Sequence, residues 1–404
     1  MHYTYPSPLT TPLDRILPPE PLLLMGAGPV PIPHAVAKAN GVVINHLGDT
    51  MNEVIAGVKN MARYAFQTSC DKVMGVAGPA SAGMEMSVTN LLWPGRSALI
   101  LVNGTFSERM GAMATAVGAD VDYMKFDEPS MVDLAQVQAQ LALKQYDVVT
   151  LVQGETSCGI YNPNLPEVVK ACKDAGALVI VDAVVTLSTM PLLMDEWGID
   201  VCITGGQKGI SSIPGVSLIA FSDAAWKVVE ARTAIMPHWC LDARKAFNFW
   251  GLQQYHYTAP VPGILALYEA LRLICEETLQ KRFSRHLHSS EALQSGVEAM
   301  GLKLFVPKQY RLNSVVAINI PDGIESYQTR KFMTNKFNVE ISDAFGLPIF
   351  RIGQMGEQCR SANLFKTLYA FGMSLRTQGV DLDVASGMAA LEIGLAGDLT
   401  DYVP

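Results

Sequence analysis

Gly198-Ile199-Asp200-Val201-Cys202-Ile203-Thr204-Gly205-Gly206-Gln207-Lys208-Gly209 is the stretch on which the fold turns. An apolar run bounded by glycines reads as a core strand. A lysine where such a strand exits is expensive to bury unless it has a chemical task. Upstream, Ala177-Leu178-Val179-Ile180-Val181-Asp182-Ala183-Val184 repeats the pattern, with an acid near the strand's end. Asp182 and Lys208, at the C-terminal ends of two nearby strands, would face the same crevice of an open parallel sheet. An amine and a carboxylate in one cleft suit a Schiff base to pyridoxal phosphate, with the acid on the pyridinium nitrogen. The same two residues would also make a buried ion pair, and the pair alone leaves both readings open.

Outward from this pair, Ala98–Val102 ends at Asn103-Gly104, Val148–Val152 ends at Gln153-Gly154-Glu155, and Val216–Phe221 follows the lysine. Segments with helical periodicity, such as 163–176, lie between the strands. The alternation predicts an α/β fold with a mainly parallel sheet covered on both faces. A long helix is expected to start near Pro260 and run through Ile274. Beyond it the pattern changes to strand 315–320, helix 326–338, strand 349–352 and helices 360–377 and 382–394. This predicts a proline-rich N-terminal arm over 1–24, a large cofactor-binding domain over 25–274 and a small α+β C-terminal domain over 275–404.

The chain has 404 residues, 49% of them hydrophobic, and a formal net charge of −8. That acidic balance argues against nucleic acid as the main partner. The N-terminus has no basic start followed by an apolar run, so no signal peptide is expected, and no uninterrupted apolar stretch is long enough for a bilayer. The seven cysteines are scattered, without CxxC pairs. They read as reduced thiols of a cytoplasmic protein, with no zinc site.

Ala77-Gly78-Pro79-Ala80-Ser81-Ala82-Gly83-Met84-Glu85-Met86 joins an expected short strand, Lys72–Val76, to a helix. Small residues permit close backbone approach, and the helix start offers free N–H groups to an anion. No GK[ST] follows and no GxGxxG is present, which excludes a Walker loop and a nicotinamide site.

These segments carry a resemblance. LLLMGAGP at 22–29, GPASAGMEM at 78–86, NGTFSER at 103–109, GETSCG at 154–159, VDAV at 181–184, GGQKG at 205–209, FWGLQQYHYTAP at 249–260 and RIGQMG at 351–356 occur in order. Together they resemble the class V, fold-type I, PLP-dependent aminotransferases of the alanine/serine–glyoxylate group, over roughly residues 20–375. The resemblance implies that Lys208 holds pyridoxal 5'-phosphate as a Schiff base and shuttles the Cα proton, and that Asp182 pairs with the ring nitrogen. It implies Phe106 stacked on one face of the cofactor, Val184 on the other, and Thr156 near the phenolic oxygen. Ala80, Ser81 and Gln207 would take the phosphate, as would Tyr255 and Thr258 from a neighbouring subunit, giving a homodimer with shared sites. Arg351 would grip the substrate carboxylate, with Gly28 beside the substrate. Taken without the motifs, Phe106 reads as ordinary core; a surface ion pair is the bland alternative for Arg351, which its strand neighbours Phe350 and Ile352 disfavour. His46, His256 and Cys158 read as structural.

The implied reaction is transamination between a small L-amino acid, alanine or serine type, and a 2-oxo acid, glyoxylate or pyruvate. Two segments depart from the family pattern: Ser342-Asp343-Ala344-Phe345-Gly346 and Asn45-His46-Leu47-Gly48-Asp49-Thr50-Met51. Asp343 would either read a second polar group on the donor or cap a turn. A pyridoxamine–pyruvate aminotransferase acting on the free vitamin is the alternative. Its pattern has a glutamate in the phosphate loop, where Pro79 stands here, and a second arginine near Asp343. A cysteine desulfurase or kynureninase-type lyase is less favoured, with Cys359 as the one candidate for a mobile cysteine.

Overall fold

The computed structural model describes residues 7–344 and 346–396. Parts of two expected segments, the arm at 1–6 and the C-terminal end at 397–404, lie outside the described residues, as does Phe345. Seven strands form the main sheet: β1 (Val73–Ala77), β2 (Ser97–Val102), β3 (Asp120–Lys125), β4 (Val148–Val152), β5 (Leu178–Asp182), β6 (Val201–Gly205) and β7 (Val216–Phe221). Their order is β1-β7-β6-β5-β4-β2-β3. β7 runs antiparallel to both neighbours, and the pairs from β6 to β3 are parallel. β4 and β7 are buried along their whole length, which is why they read as unbroken apolar runs.

The edge strand β3 was not expected from the sequence. It reads Asp-Val-Asp-Tyr-Met-Lys and has no buried residue. Charges on such a strand keep its open edge from pairing with another chain, and they also erase the apolar signal.

Helices flank the sheet, among them α1 (Ala80–Leu91), α2 (Thr105–Ala116) and α3 (Val261–Glu277). α4 (Leu279–Ala299) follows α3 after the single residue Thr278, whose φ is +70°. α4 was also unforeseen. Its buried face includes Arg282, His286, Ser289, Ser290 and Gln294, so it carries little apolar periodicity.

A second, antiparallel sheet has the order β8-β10-β9, with β8 (Val315–Asn319), β9 (Ser342–Asp343) and β10 (Ile349–Gly353). Leu23–Leu24 pairs in parallel with Val339–Glu340. One core packs around the main sheet, and a second joins Met25, Leu293, Phe350, Ile352 and Phe371.

Candidate active site

Asp182 ends β5, and its register partner on the adjacent strand is Ile203, two residues before β6 ends. The chain then folds into a tight turn in which Ser212 N–H donates to the Gly206 carbonyl and Ser211 N–H to the Lys208 carbonyl. A Cβ on Gly206 would lie 2.6 Å from the Val216 carbonyl oxygen, so this turn demands glycine. Lys208 projects from it and donates through Nζ to the Ala27 carbonyl. Gly28, at φ +92°, lies against the same side chain: a Cβ there would be 2.7 Å from Lys208 Nζ.

Burial brings the Lys208 amine down to about 8; the nearby Arg351 charge adds to that effect and Asp182 opposes it. Asp182 is buried, and its carboxyl is pushed up to about 7 by that burial. The Val184 N–H, which donates to Asp182 Oδ1 at 2.8 Å, opposes the rise, while the field of Glu155 adds to it. Both groups are thereby poised near neutrality, as functional residues in clefts tend to be.

The structure brings Ala80, Ser81 and Gln207 together. Ala80 and Ser81 open α1, which no side chain caps. A Cβ on Gly205 would meet Gln207 Oε1 at 2.9 Å and Ala80 Cβ at 3.0 Å. Gln207 Oε1 is buried without a hydrogen-bond partner. Uncapped N–H groups and a glycine-lined gap suit a phosphate, and with Asp182 and Lys208 these residues fit pyridoxal phosphate.

Two residues of this site went unrecognised in the sequence. Arg109 donates to Ser81 Oγ at 3.0 Å, and its guanidinium carbon lies 4.8 Å from the centre of the half-buried Phe106 ring. Glu155 is fully buried. Its Oε2 accepts from the N–H groups of Phe106 and Ser107 and from Ser107 Oγ, at 2.9–3.1 Å. Its Oε1 accepts from Ser157 N–H and Ser157 Oγ. Glu155, just after β4, therefore caps α2 and fixes the turn that carries Phe106. Both lie in quoted motifs, and the available signal was a charge among small and apolar neighbours.

Arg351, on β10, is 6% exposed. Its Nε and Nη2 donate to the Asp343 carbonyl at 3.1 and 2.6 Å, and Nη1 donates to the Thr156 carbonyl at 2.8 Å. A guanidinium has five N–H bonds, so one on each terminal nitrogen stays uncommitted, the pair that a carboxylate accepts side by side. Thr156 thus meets this site through its backbone. The Asp343 carboxylate neither reaches Arg351 nor caps a turn there: Arg330 Nη2 holds it at 2.9 Å and Ser326 Oγ at 3.2 Å. Val184 is half-buried against the Ala27 and Val30 cluster.

Tyr255 and Thr258 sit on an exposed loop, Tyr255 at 61% exposure with its ring 5.9 Å from that of His46. Neither hydrogen-bonds to the Asp182–Lys208 crevice among the described residues. Cys359 is buried with Sγ 3.1 Å from the Gln354 carbonyl, and burial pushes its thiol up. Such a thiol is no mobile nucleophile. Among the described residues no helix is long and apolar enough to cross a membrane.

Residues 34–360 match the family model described as aminotransferase class-V. The alanine–glyoxylate aminotransferase of Oryctolagus cuniculus is 32% identical over 363 residues, spanning 88% of this chain and 92% of that protein. The crystal structure of an alanine–glyoxylate aminotransferase from Nostoc sp. superposes with a TM-score of 0.86 at 31% identity, over 91% of this chain and all of the other. The ureidoglycine–glyoxylate aminotransferase of Bacillus subtilis superposes with a TM-score of 0.90 at 28% identity, covering 96% and 99% of the two chains.

Proposed function

The chain belongs to the class V aminotransferase family and is an aminotransferase; on that premise we propose that it uses pyridoxal 5'-phosphate to move an amino group between a small L-amino acid and a 2-oxo acid. The donor is of alanine or serine type, and the acceptor is glyoxylate or pyruvate. The observation that carries this reading is the Asp182–Lys208 pair at the ends of adjacent parallel strands, with the Arg351 charge acting on the lysine.

Bound in the crevice, pyridoxal phosphate supplies an electron sink for the carbanion left when the substrate's Cα proton departs. Lys208 Nζ anchors the cofactor and then carries that proton, a task suited to an amine poised near 8. Asp182 would pair with the ring nitrogen and favour its protonated form. Phe106 and Val184 would pack on the two faces of the ring. Ala80 and Ser81 give N–H groups to the phosphate, Gln207 gives its side-chain amide, and Arg109 holds the Ser81 hydroxyl for the same purpose. The two uncommitted N–H groups of Arg351 fix the substrate carboxylate and so aim the Cα–H bond at Lys208. Gly28 leaves room for the lysine to swing. Tyr255 and Thr258 of a second copy complete the phosphate site in a homodimer. We also assign 25–274 to a large cofactor-binding domain and 275–404 to a small one. The free state of all seven cysteines supports a reducing compartment such as the cytoplasm.

The phosphate cradle has no acid at Pro79 and the Asp343 carboxylate is engaged elsewhere, which favours the phosphorylated cofactor over free pyridoxamine. The test is the visible absorbance of the purified protein as L-alanine, L-serine and pyridoxamine are added separately. Bleaching of a bound-cofactor band by one amino acid is expected and names the donor. A response to pyridoxamine alone, or no band at all, overturns the reading.

A further inference from the structure

We infer that Glu277, by clamping Arg282 and Arg285, is a positioning residue that sets the Lys208 turn against the strand bearing Arg351. This rests on the roles proposed above for Lys208 and Arg351. Glu277 is the last residue of α3, and both arginines belong to the first turns of α4. Its Oε2 accepts from Arg282 Nη1 at 2.8 Å and Arg285 Nη2 at 3.0 Å, and its Oε1 accepts from Arg285 Nε at 2.6 Å.

The two guanidinium groups then reach in different directions. Arg282 Nη2 donates at 2.8 Å to the carbonyl of Gly209, the residue after Lys208. Arg282 Nε donates to Ser188 Oγ, whose own hydroxyl donates to that same carbonyl. Arg285 Nη1 donates at 2.8 Å to the Gly356 carbonyl, three residues beyond the end of β10. Gly356 N–H donates to His286 Nε2, and His286 Nδ1 donates to the Arg282 carbonyl. His286 accepts at one nitrogen and donates at the other, so it is neutral, as its burial beside two arginines requires. One knot therefore ties down the loop after the lysine and the loop after the carboxylate-binding strand.

The backbone around the knot is strained. Ser188 at φ +68° and Ser211 at φ +62° lie in the left-handed region, which costs a non-glycine residue; Gly356 takes φ +57° beside them as glycine readily does. A Cβ on Gly356 would fall 1.6 Å from Ser211 Oγ. Such conformations persist where surroundings over-determine them, and they cluster at functional sites. A buried ion cluster is weak as a stability device, since apolar replacements of similar volume often do as well. Its directional bonds to two carbonyls are what an apolar patch could not reproduce.

Amide hydrogen exchange of the full-length protein tests the coupling. Arg285→Lys disturbs the bonds to Glu277 and to the Gly356 carbonyl and touches no residue of the lysine turn directly, yet exchange in the 206–212 turn is expected to quicken about tenfold or more along with that in 354–359. Glu277→Gln should loosen both ends. Competitive acetylation, read by mass spectrometry after bound small molecules are removed, reports the ionisation of Lys208 itself. The charged groups acting on it, Arg351 and Asp182, are unchanged in these variants. Loosening the turn admits water, so the lysine's half-ionisation point should move up toward the ordinary lysine range. Faster exchange confined to 354–359 in Arg285→Lys, or an unmoved lysine despite faster exchange of its turn, overturns the inference. If Glu277→Gln does not fold, Arg285→Lys decides by itself. Neither readout needs the cofactor, so a wild-type protein without aminotransferase spectra would sink the proposed function and leave this result standing.

Discussion

Arg351 is held by the backbone carbonyl of Asp343, through Nε and Nη2, while the Asp343 carboxylate turns to Arg330. Ser342, not Asp343, is the residue registered across from Arg351, and its hydroxyl accepts from Ala27 N–H. The Asp343 side chain is 39% exposed, and an ion pair this open contributes about 0–1 kcal/mol. Asp343→Asn keeps the carbonyl and should leave KM for the oxo acid within about twofold, since it removes no N–H from the substrate site. Steady-state kinetics decide; a tenfold rise in KM would place the carboxylate in substrate recognition.

Arg351→Lys retains the charge and loses the fork. An ammonium cannot bond two backbone carbonyls and still present two parallel N–H groups to a carboxylate. We expect kcat/KM to fall by about 100-fold, equivalent to about 3 kcal/mol and within the reach of a lost charge-assisted bidentate pair. Most of the loss should lie in KM. A variant with wild-type KM would remove Arg351 from carboxylate binding.

Without cofactor, Asp182 and Lys208 both oppose folding at neutral pH, because burial disfavours their charged forms. Between pH 3.8 and about 7 the folded chain binds more protons at Asp182 than the unfolded chain does, so stability falls as pH rises. Between about 8 and 10.5 the unfolded chain binds more at Lys208, and stability climbs again. Asp182→Asn should therefore stabilise the cofactor-free protein, with a gain that grows from about pH 4 to about pH 7 and is flat above. Its ceiling is on the order of 4 kcal/mol. Urea unfolding at pH 5 and pH 8 measures it; an equal gain at both would refute the assignment.

Central strands were legible in the sequence because burial on both faces leaves β4 to β7 as apolar runs, and Asp182 and Lys208 stand out where those runs stop. The phosphate-like turn at Ala80–Ser81 was legible for its small residues. Elements whose packing is polar were hidden. β3 is an exposed edge, and α4 buries Arg282 and His286 where periodicity would look for leucine. Glu155 and Arg109 stand beside recognised motif residues, yet their roles depend on which backbone N–H or hydroxyl faces them. Contacts at a separation of 28 or 48 residues have no local signature.

Arg109 should influence the phosphate and not the ring. It donates to Ser81 Oγ, leaving that hydroxyl's own proton free for an anion. Replacing Arg109 with Met should weaken binding of pyridoxal phosphate about tenfold, a loss of one charge-assisted hydrogen bond, and leave unphosphorylated pyridoxal unaffected. Parallel fluorescence titrations with the two compounds separate the effects. Equal losses for both would assign Arg109 to the Phe106 ring instead.

Glu155 makes the strictest demand on residue type. Five donors converge on its two oxygens: the N–H groups of Phe106, Ser107 and Ser157 and the hydroxyls of Ser107 and Ser157. Gly104 lies so close that a Cβ there would be 2.4 Å from Glu155 Cγ, so the site has little room to rearrange. Glutamine is nearly isosteric, yet one of its termini is an NH2 group. At the Oε2 position that group confronts the Phe106 and Ser107 N–H groups of the first helical turn, and at the Oε1 position it confronts the Ser157 N–H. Glu155→Gln should therefore cost about 2–3 kcal/mol, the range for unpaired buried donors facing a lost charge. It should also loosen the first turn of α2 and with it Phe106. Chemical denaturation gives the first quantity, and the cofactor-induced circular dichroism, sensitive to the stacked ring, gives the second. If stability dropped by less than about 0.5 kcal/mol, the size of an ordinary surface substitution, the cap would be no constraint on α2.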